Sequence, residues 1–167
     1  MLQRPLRGEP LPLDLVNTEW FEGGGRRDLF DAPGGVASWL AEHGYAAASA
    51  DALREARAAL RRHLEHADPA PLNAVLARGT RTPVIGADGP GEIVDVDPEW
   101  RPAWDAAVDY LRLLAEHPDR VRGCANPACV LWFYDCSRSG GRRWCCMEIC
   151  GNRAKASRHY ARTRGRD

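Results

Sequence analysis

The sequence predicts an α+β (or α/β) chain: a helix-rich N-terminal domain with a small sheet over residues 1–120, then a separate C-terminal module over residues 121–167. Three observations predict it. Apolar residues recur at helical spacing from Ala50 to His66 and from Asp97 to His117. Two β-branched runs joined by a glycine-rich turn lie between those segments. All six cysteines fall at or beyond Cys124, so the last part of the chain has its own chemistry.

The elements follow in order. Leu11–Thr18 alternates enough to read as a short strand. Glu22–Arg27 holds three consecutive glycines and reads as a loop; without the G-x-G-x-x-G order it carries no phosphate role. Asp31-Ala32-Pro33 opens a helix with Val36, Trp39 and Leu40 on one face. Residues 50–66 form a stronger helix, with Leu53, Ala56, Leu60 and Leu64 at core spacing. Pro69–Leu76 reads as another short helix. Pro83-Val84-Ile85 and Glu92–Val96 are extended pieces joined through Gly86–Gly91 as a hairpin. Asp97-Pro98 starts the last helix of the body, with Trp100, Trp104, Val108, Leu111 and Leu114 facing the core, and His117-Pro118 ends it.

In the tail, Cys124 and Cys129 form one C-x4-C pair and Cys145 and Cys150 a second. The N-terminus lacks a signal-peptide apolar region and no apolar run reaches membrane-spanning length, so the expected compartment is cytoplasmic, with no membrane partner. Thiols stay reduced there, and four at this spacing suit one structural Zn2+, which prefers a tetrahedral thiolate set with no position left open for catalysis. Cys146 in place of Cys145 would give C-x3-C with Cys150; the matched x4 spacing favours Cys145. Cys136 reads as a small buried or turn residue. Pro127 suits a tight knuckle. Leu131–Tyr134 and Arg142–Trp144 flank a Gly-Gly turn and read as a hairpin, with Cys150 near the start of a final helix. Knuckle, hairpin and helix describe a treble-clef-like zinc module with an all-cysteine ligand set.

Charge separates the two parts. The chain is neutral overall, yet from Val121 onward ten basic residues stand against three acidic ones, a net charge of +7. That is the electrostatic footprint of nucleic-acid binding. Lys155, Arg158 and Arg162 share roughly a 100° arc of the final helix with His159, and Arg142 and Arg143 on the hairpin add a second row. These five are the candidate phosphate-contacting residues, while Arg153, on the opposite face, reads as structural. Catalysis is not expected. His63-Leu64-Glu65 matches half of a zinc-deaminase motif, but its P-C-x-x-C partner is missing. Asn17 and Glu19 are the only residues that could be placed in a ligand pocket, and a polar strand end is their plainer reading.

Cys124-x4-Cys129, Trp132-Phe133-Tyr134-Asp135, Ser137-Arg138, Arg142-Arg143-Trp144-Cys145, Cys150-Gly151-Asn152-Arg153 and Lys155 together resemble the CGNR zinc-finger family. Upstream, Leu13–Thr18, Asp28-Leu29-Phe30 and Trp39-Leu40 resemble that family's usual partner, the ABATE domain. Cys136 and Cys146 depart from the pattern, which more often has small hydroxyl residues there. The resemblance implies a bacterial, stress-related transcription regulator whose zinc finger binds double-stranded DNA. It implies an N-terminal domain that senses a ligand. In the DNA-binding reading the body serves a small-molecule effector or forms a homodimer. The alternative readings are a zinc-stabilised protein-interaction adaptor, with Trp132, Phe133 or Tyr134 as anchors, and an RNA-binding protein.

Overall fold

A computed structural model describes residues 4–152 and Lys155. The fold is α+β, with helices and three two-stranded antiparallel sheets. It falls into two compact units: Met1–Leu29 with Leu113–Asp167, and Phe30–Arg112.

The first unit begins with a correction. Leu11–Val16 is a helix (α1), not a strand. Leu13, Leu15 and Val16 are each 0% exposed and Asp14 only 1%. No solvent face existed for an alternating pattern to mark, and Pro12 in the first turn already has the helical φ. Asp14 is tolerated in this interior because the Arg4 guanidinium pairs with it. The segment read as a glycine loop is also ordered otherwise. Glu19–Glu22 (β1) and Gly25–Asp28 (β2) pair in register from Glu19↔Asp28 to Glu22↔Gly25. Gly23 and Gly24 both have positive φ, the requirement of the two-residue turn that matches strand twist.

In the second unit, Gly35–Glu42 (α2) buries Trp39 and Leu40, as its pattern predicts, while Val36 is only half-buried. Ala50–His66 (α3) keeps the bounds read from the sequence. Ser49 caps it by accepting the Ala52 N–H at 3.3 Å, and Leu53, Ala56 and Leu60 are 0% exposed. Ala70–Leu76 (α4) packs on α3 through Leu72 and Val75. Gly79–Gly86 (β3) and Gly89–Val96 (β4) form the expected hairpin, a largely exposed ribbon turning at Ala87-Asp88. Arg101–Glu116 (α5) closes the body with its apolar face rotated from the expected phase. Ala103, Trp104, Ala107 and Tyr110 are buried, whereas Leu111 is 44% exposed. The alanines read as neutral filler in the sequence, yet they let the helix lie close to its neighbours.

His63 and Glu65, the half-motif of a deaminase, serve packing and surface pairing. His63 Nδ1 lies 2.9 Å from Tyr110 Oη, and Glu65 pairs with Arg61 at 3.4 Å. Burial pushes the Tyr110 phenol up to about 12, so it stays a neutral partner for the imidazole.

Candidate metal centre

The centre is built on a short ladder. Val121–Gly123 (β5) pairs antiparallel with Trp132–Tyr134 (β6), Val121 opposite Tyr134 and Gly123 opposite Trp132. This corrects the expected hairpin, in which Arg142–Trp144 was the partner of the aromatic strand. Arg142–Trp144 is instead an irregular segment. Its course is set by Asp135, whose two oxygens accept the Ser137 and Arg142 N–H groups at 2.9 Å each. A buried carboxylate gathering two backbone donors makes a loop where a two-strand turn was expected.

The knuckle is the turn of the β5–β6 hairpin. Cys124 N–H donates to Leu131 O at 2.9 Å and closes it. Inside, Asn126 folds the chain back: its side-chain oxygen accepts from Ala128 N at 3.2 Å, and its carbonyl from Cys129 N at 2.9 Å. The second pair lies on the other side of the Asp135 loop. Cys145 is 2% and Cys150 3% exposed, the latter within a wide helical turn over Met147–Gly151. Gly151 belongs to that turn for a reason of space, because a Cβ there would sit 2.6 Å from the Met147 sulfur.

These elements bring together the four predicted thiols. The Sγ atoms of Cys124, Cys129, Cys145 and Cys150 lie within 4.8 Å of one another, the only such group among the described residues. Cys129 and Cys145 are 3.8 Å apart, Cys145 and Cys150 3.6 Å. Four sulfurs at about 2.3 Å from a zinc ion in a tetrahedron would be about 3.8 Å apart. Outer contacts suit thiolates too: Asn126 Nδ2 donates to Cys150 Sγ at 3.3 Å and Cys145 N to Cys124 Sγ at 3.4 Å. The donor set itself calls for a cation. The Cys129 thiol, hydrogen-bonded by Cys145, falls to about 5. Cys145 is driven strongly upward by that same bond and by burial, and Cys150 rises to about 11, chiefly through burial. A divalent zinc would let clustered sulfurs ionise together. One structural zinc fits this site. Cys146 is half-buried and outside the group, and Cys136 is exposed at a turn.

The candidate phosphate contacts separate into different roles. Arg142 is committed inside the module: its guanidinium donates to the carbonyls of Trp144, Tyr134 and Cys145, pairs with Glu9 and covers the Phe133 ring at 4.2 Å. Arg143 is exposed, lying 5.3 Å over Trp144, and Lys155 is exposed as well. Arg158 and Arg162, with Arg153, lie outside the described residues.

Two residues hold the frame: Asn17, read from the sequence as a pocket candidate or a polar strand end, and Glu9, which the sequence did not single out. Asn17, 0% exposed, donates to Trp132 O at 2.8 Å and accepts Trp132 N–H at 3.0 Å, extending β6 like a one-residue strand. Glu9 accepts Tyr134 N–H at 2.7 Å. Burial raises its carboxyl despite this bond and the Arg142 charge. Both signals are long-range pairings that no local spacing announces. Glu19, the other pocket candidate, pairs with Arg26 at 2.8 Å.

The geometry agrees with two matches along the chain. The family model described as "Putative stress-induced transcription regulator" (ABATE) covers residues 9–117, well over half of the sequence. The chain belongs to the ABATE family. The CGNR zinc finger model follows at residues 120–163 and so takes in all four thiols of the cluster. In this ABATE protein both matched families are of regulator or zinc-finger type. No curated protein matches the chain. Among its described residues, no helix is long and apolar enough to cross a membrane.

Asp135 gives a pH expectation. The Ser137 hydroxyl and N–H, the Arg142 N–H and the Arg122 guanidinium at 3.6 Å hold its carboxyl below the usual range. A depressed carboxyl stabilises the fold at any pH above its unfolded value near about 3.9 and loses that contribution only below it. The melting-temperature gap between the protein and an Asp135→Asn variant should therefore stay constant from about pH 8 to 5. A gap that closes within that interval would mean that Asp135 titrates there.

Proposed function

We propose that this protein is a cytoplasmic transcription regulator whose zinc-held C-terminal module binds double-stranded DNA. In this reading residues 121–167 make the DNA contact, and residues 1–120 serve effector sensing or dimerisation. One observation carries it: a four-thiol centre with every position taken by protein lies in a segment of net charge +7. A saturated site holds shape and leaves no place for substrate on the metal. Arg143 and Lys155 face solvent, and Arg158 and Arg162 follow in the same basic segment. The adaptor reading is weaker because its central anchor, Phe133, is 0% exposed, with Trp132 and Tyr134 half-buried.

Selection from a random-sequence duplex pool across a salt series tests this. Enrichment of one motif, with affinity falling steeply in salt, supports it; no retention at low salt overturns it. The arginines divide the outcome further. Arg143→Ala or Lys155→Ala should lower the salt slope by about one unit each without changing thermal stability. Arg142→Ala should instead lower stability by about 2–3 kcal/mol, because it strips several carbonyls and a carboxylate of their donor. Equal effects of Arg142→Ala and Arg143→Ala on melting would contradict this division.

A further inference from the structure

Within the first unit, the β1–β2 hairpin and the zinc loops enclose a cleft of about 290 Å3. Its lining is largely apolar and includes Trp20 and Phe21 from β1 together with Leu131 and Ile149. Trp20 and Leu131 are buried, whereas Phe21 and Ile149 stand 51% and 43% exposed at its mouth. Three of the clustered cysteines, Cys129, Cys145 and Cys150, line the same space. The size lies at the small end of the ligand-cleft range, and apolar walls with a few polar groups are the usual composition.

Charge narrows the occupant. Four thiolates around one Zn2+ would leave a formal charge of about −2 beside the cleft. Glu22 adds a carboxylate at the rim, 3.7 Å from Arg27 in an exposed pair. Among the described residues lining the cleft there is no lysine, arginine or histidine. The Asn126 amide is turned to the Cys150 sulfur and the Ala128 N–H. Such a space disfavours anions and favours a cation with an apolar body, which aromatic walls also stabilise.

We propose that this cleft binds a small aromatic amine in its protonated form, the ring between Phe21 and Ile149 and the ammonium directed to the sulfurs and Glu22. The inference rests on the regulator reading for its meaning: an amine held between β1 and the zinc loops would be the effector that biases the DNA-binding module. The binding itself is tested without DNA, so its failure and the failure of that reading remain distinct.

The full zinc-loaded chain is titrated with benzylammonium, benzyl alcohol and benzoate, three probes of nearly equal shape and different charge, while backbone amide shifts are followed by NMR. Benzylammonium should shift the Trp20, Phe21 and Ile149 amides and bind at least about tenfold tighter than benzoate. Phe21→Ser should weaken the amine severalfold at unchanged zinc content, and Glu22→Gln should narrow the preference over benzyl alcohol. Both side chains are more than half exposed, at 51% and 64%, so the variants should fold. Equal binding of benzoate, shifts elsewhere on the chain, or binding of none of the three would overturn the proposal.

Discussion

Replacing Cys145 with serine is expected to release the zinc and unfold the segment that carries the β5–β6 ladder. Cys145 lies 3.8 Å from Cys129 and 3.6 Å from Cys150 and is 2% exposed, and a serine hydroxyl is a poor substitute for its thiolate on zinc. A structural zinc supplies about 10–16 kcal/mol of folding free energy in modules of this size. Whole domains have only about 5–15 kcal/mol in hand, so losing half of the metal's contribution is enough to unfold the tail. Metal analysis and tryptophan fluorescence of the purified variant give the result directly. The informative control is Cys146→Ser, expected to keep one zinc per chain. If Cys146→Ser lost the metal and Cys145→Ser kept it, the adjacent thiol would be the ligand.

The second large effect is expected at Asn17→Ala, a residue far from the cysteines in sequence. Its amide satisfies both backbone groups of Trp132, and the truncation leaves a part-buried N–H and carbonyl without their partner. Each such group costs about 1–3 kcal/mol, so the variant should lose about 2–6 kcal/mol in urea unfolding. Asn17→Asp keeps the acceptor for Trp132 N–H but sets a carboxylate against Trp132 O, so it should not restore stability. A loss below about 1 kcal/mol for Asn17→Ala would show that water replaces the amide at little cost.

These two residues mark the boundary of what could be read from the sequence. Cys124, Cys129, Cys145 and Cys150 were legible because metal ligation depends on residue type and short spacing, and both survive in one dimension. Helix α3 was legible because the spacing of Leu53, Ala56 and Leu60 is a local signal. Helix α1 was misread because burial on every side erases the contrast from which period is judged. The partner of β6 was misread because β5 is three residues long and Asp135 redirects the more obvious candidate. Arg142 read as one more positive charge in a basic run. Its commitment to Glu9, Phe133 and three carbonyls depends on partners that only folding brings near.

The β3–β4 ribbon carries a protection against aggregation. Ile85 is 82% and Ile93 59% exposed on strands rich in branched residues, the composition that invites a third strand from another chain. Each strand, however, contains a proline, Pro83 in β3 and Pro90 in β4, with no N–H to donate to a newcomer. Gly86, Gly89 and Gly91 further weaken any extended zipper near the tip. A protein at high concentration can thus present this greasy ribbon to solvent without templating fibrils on its edges.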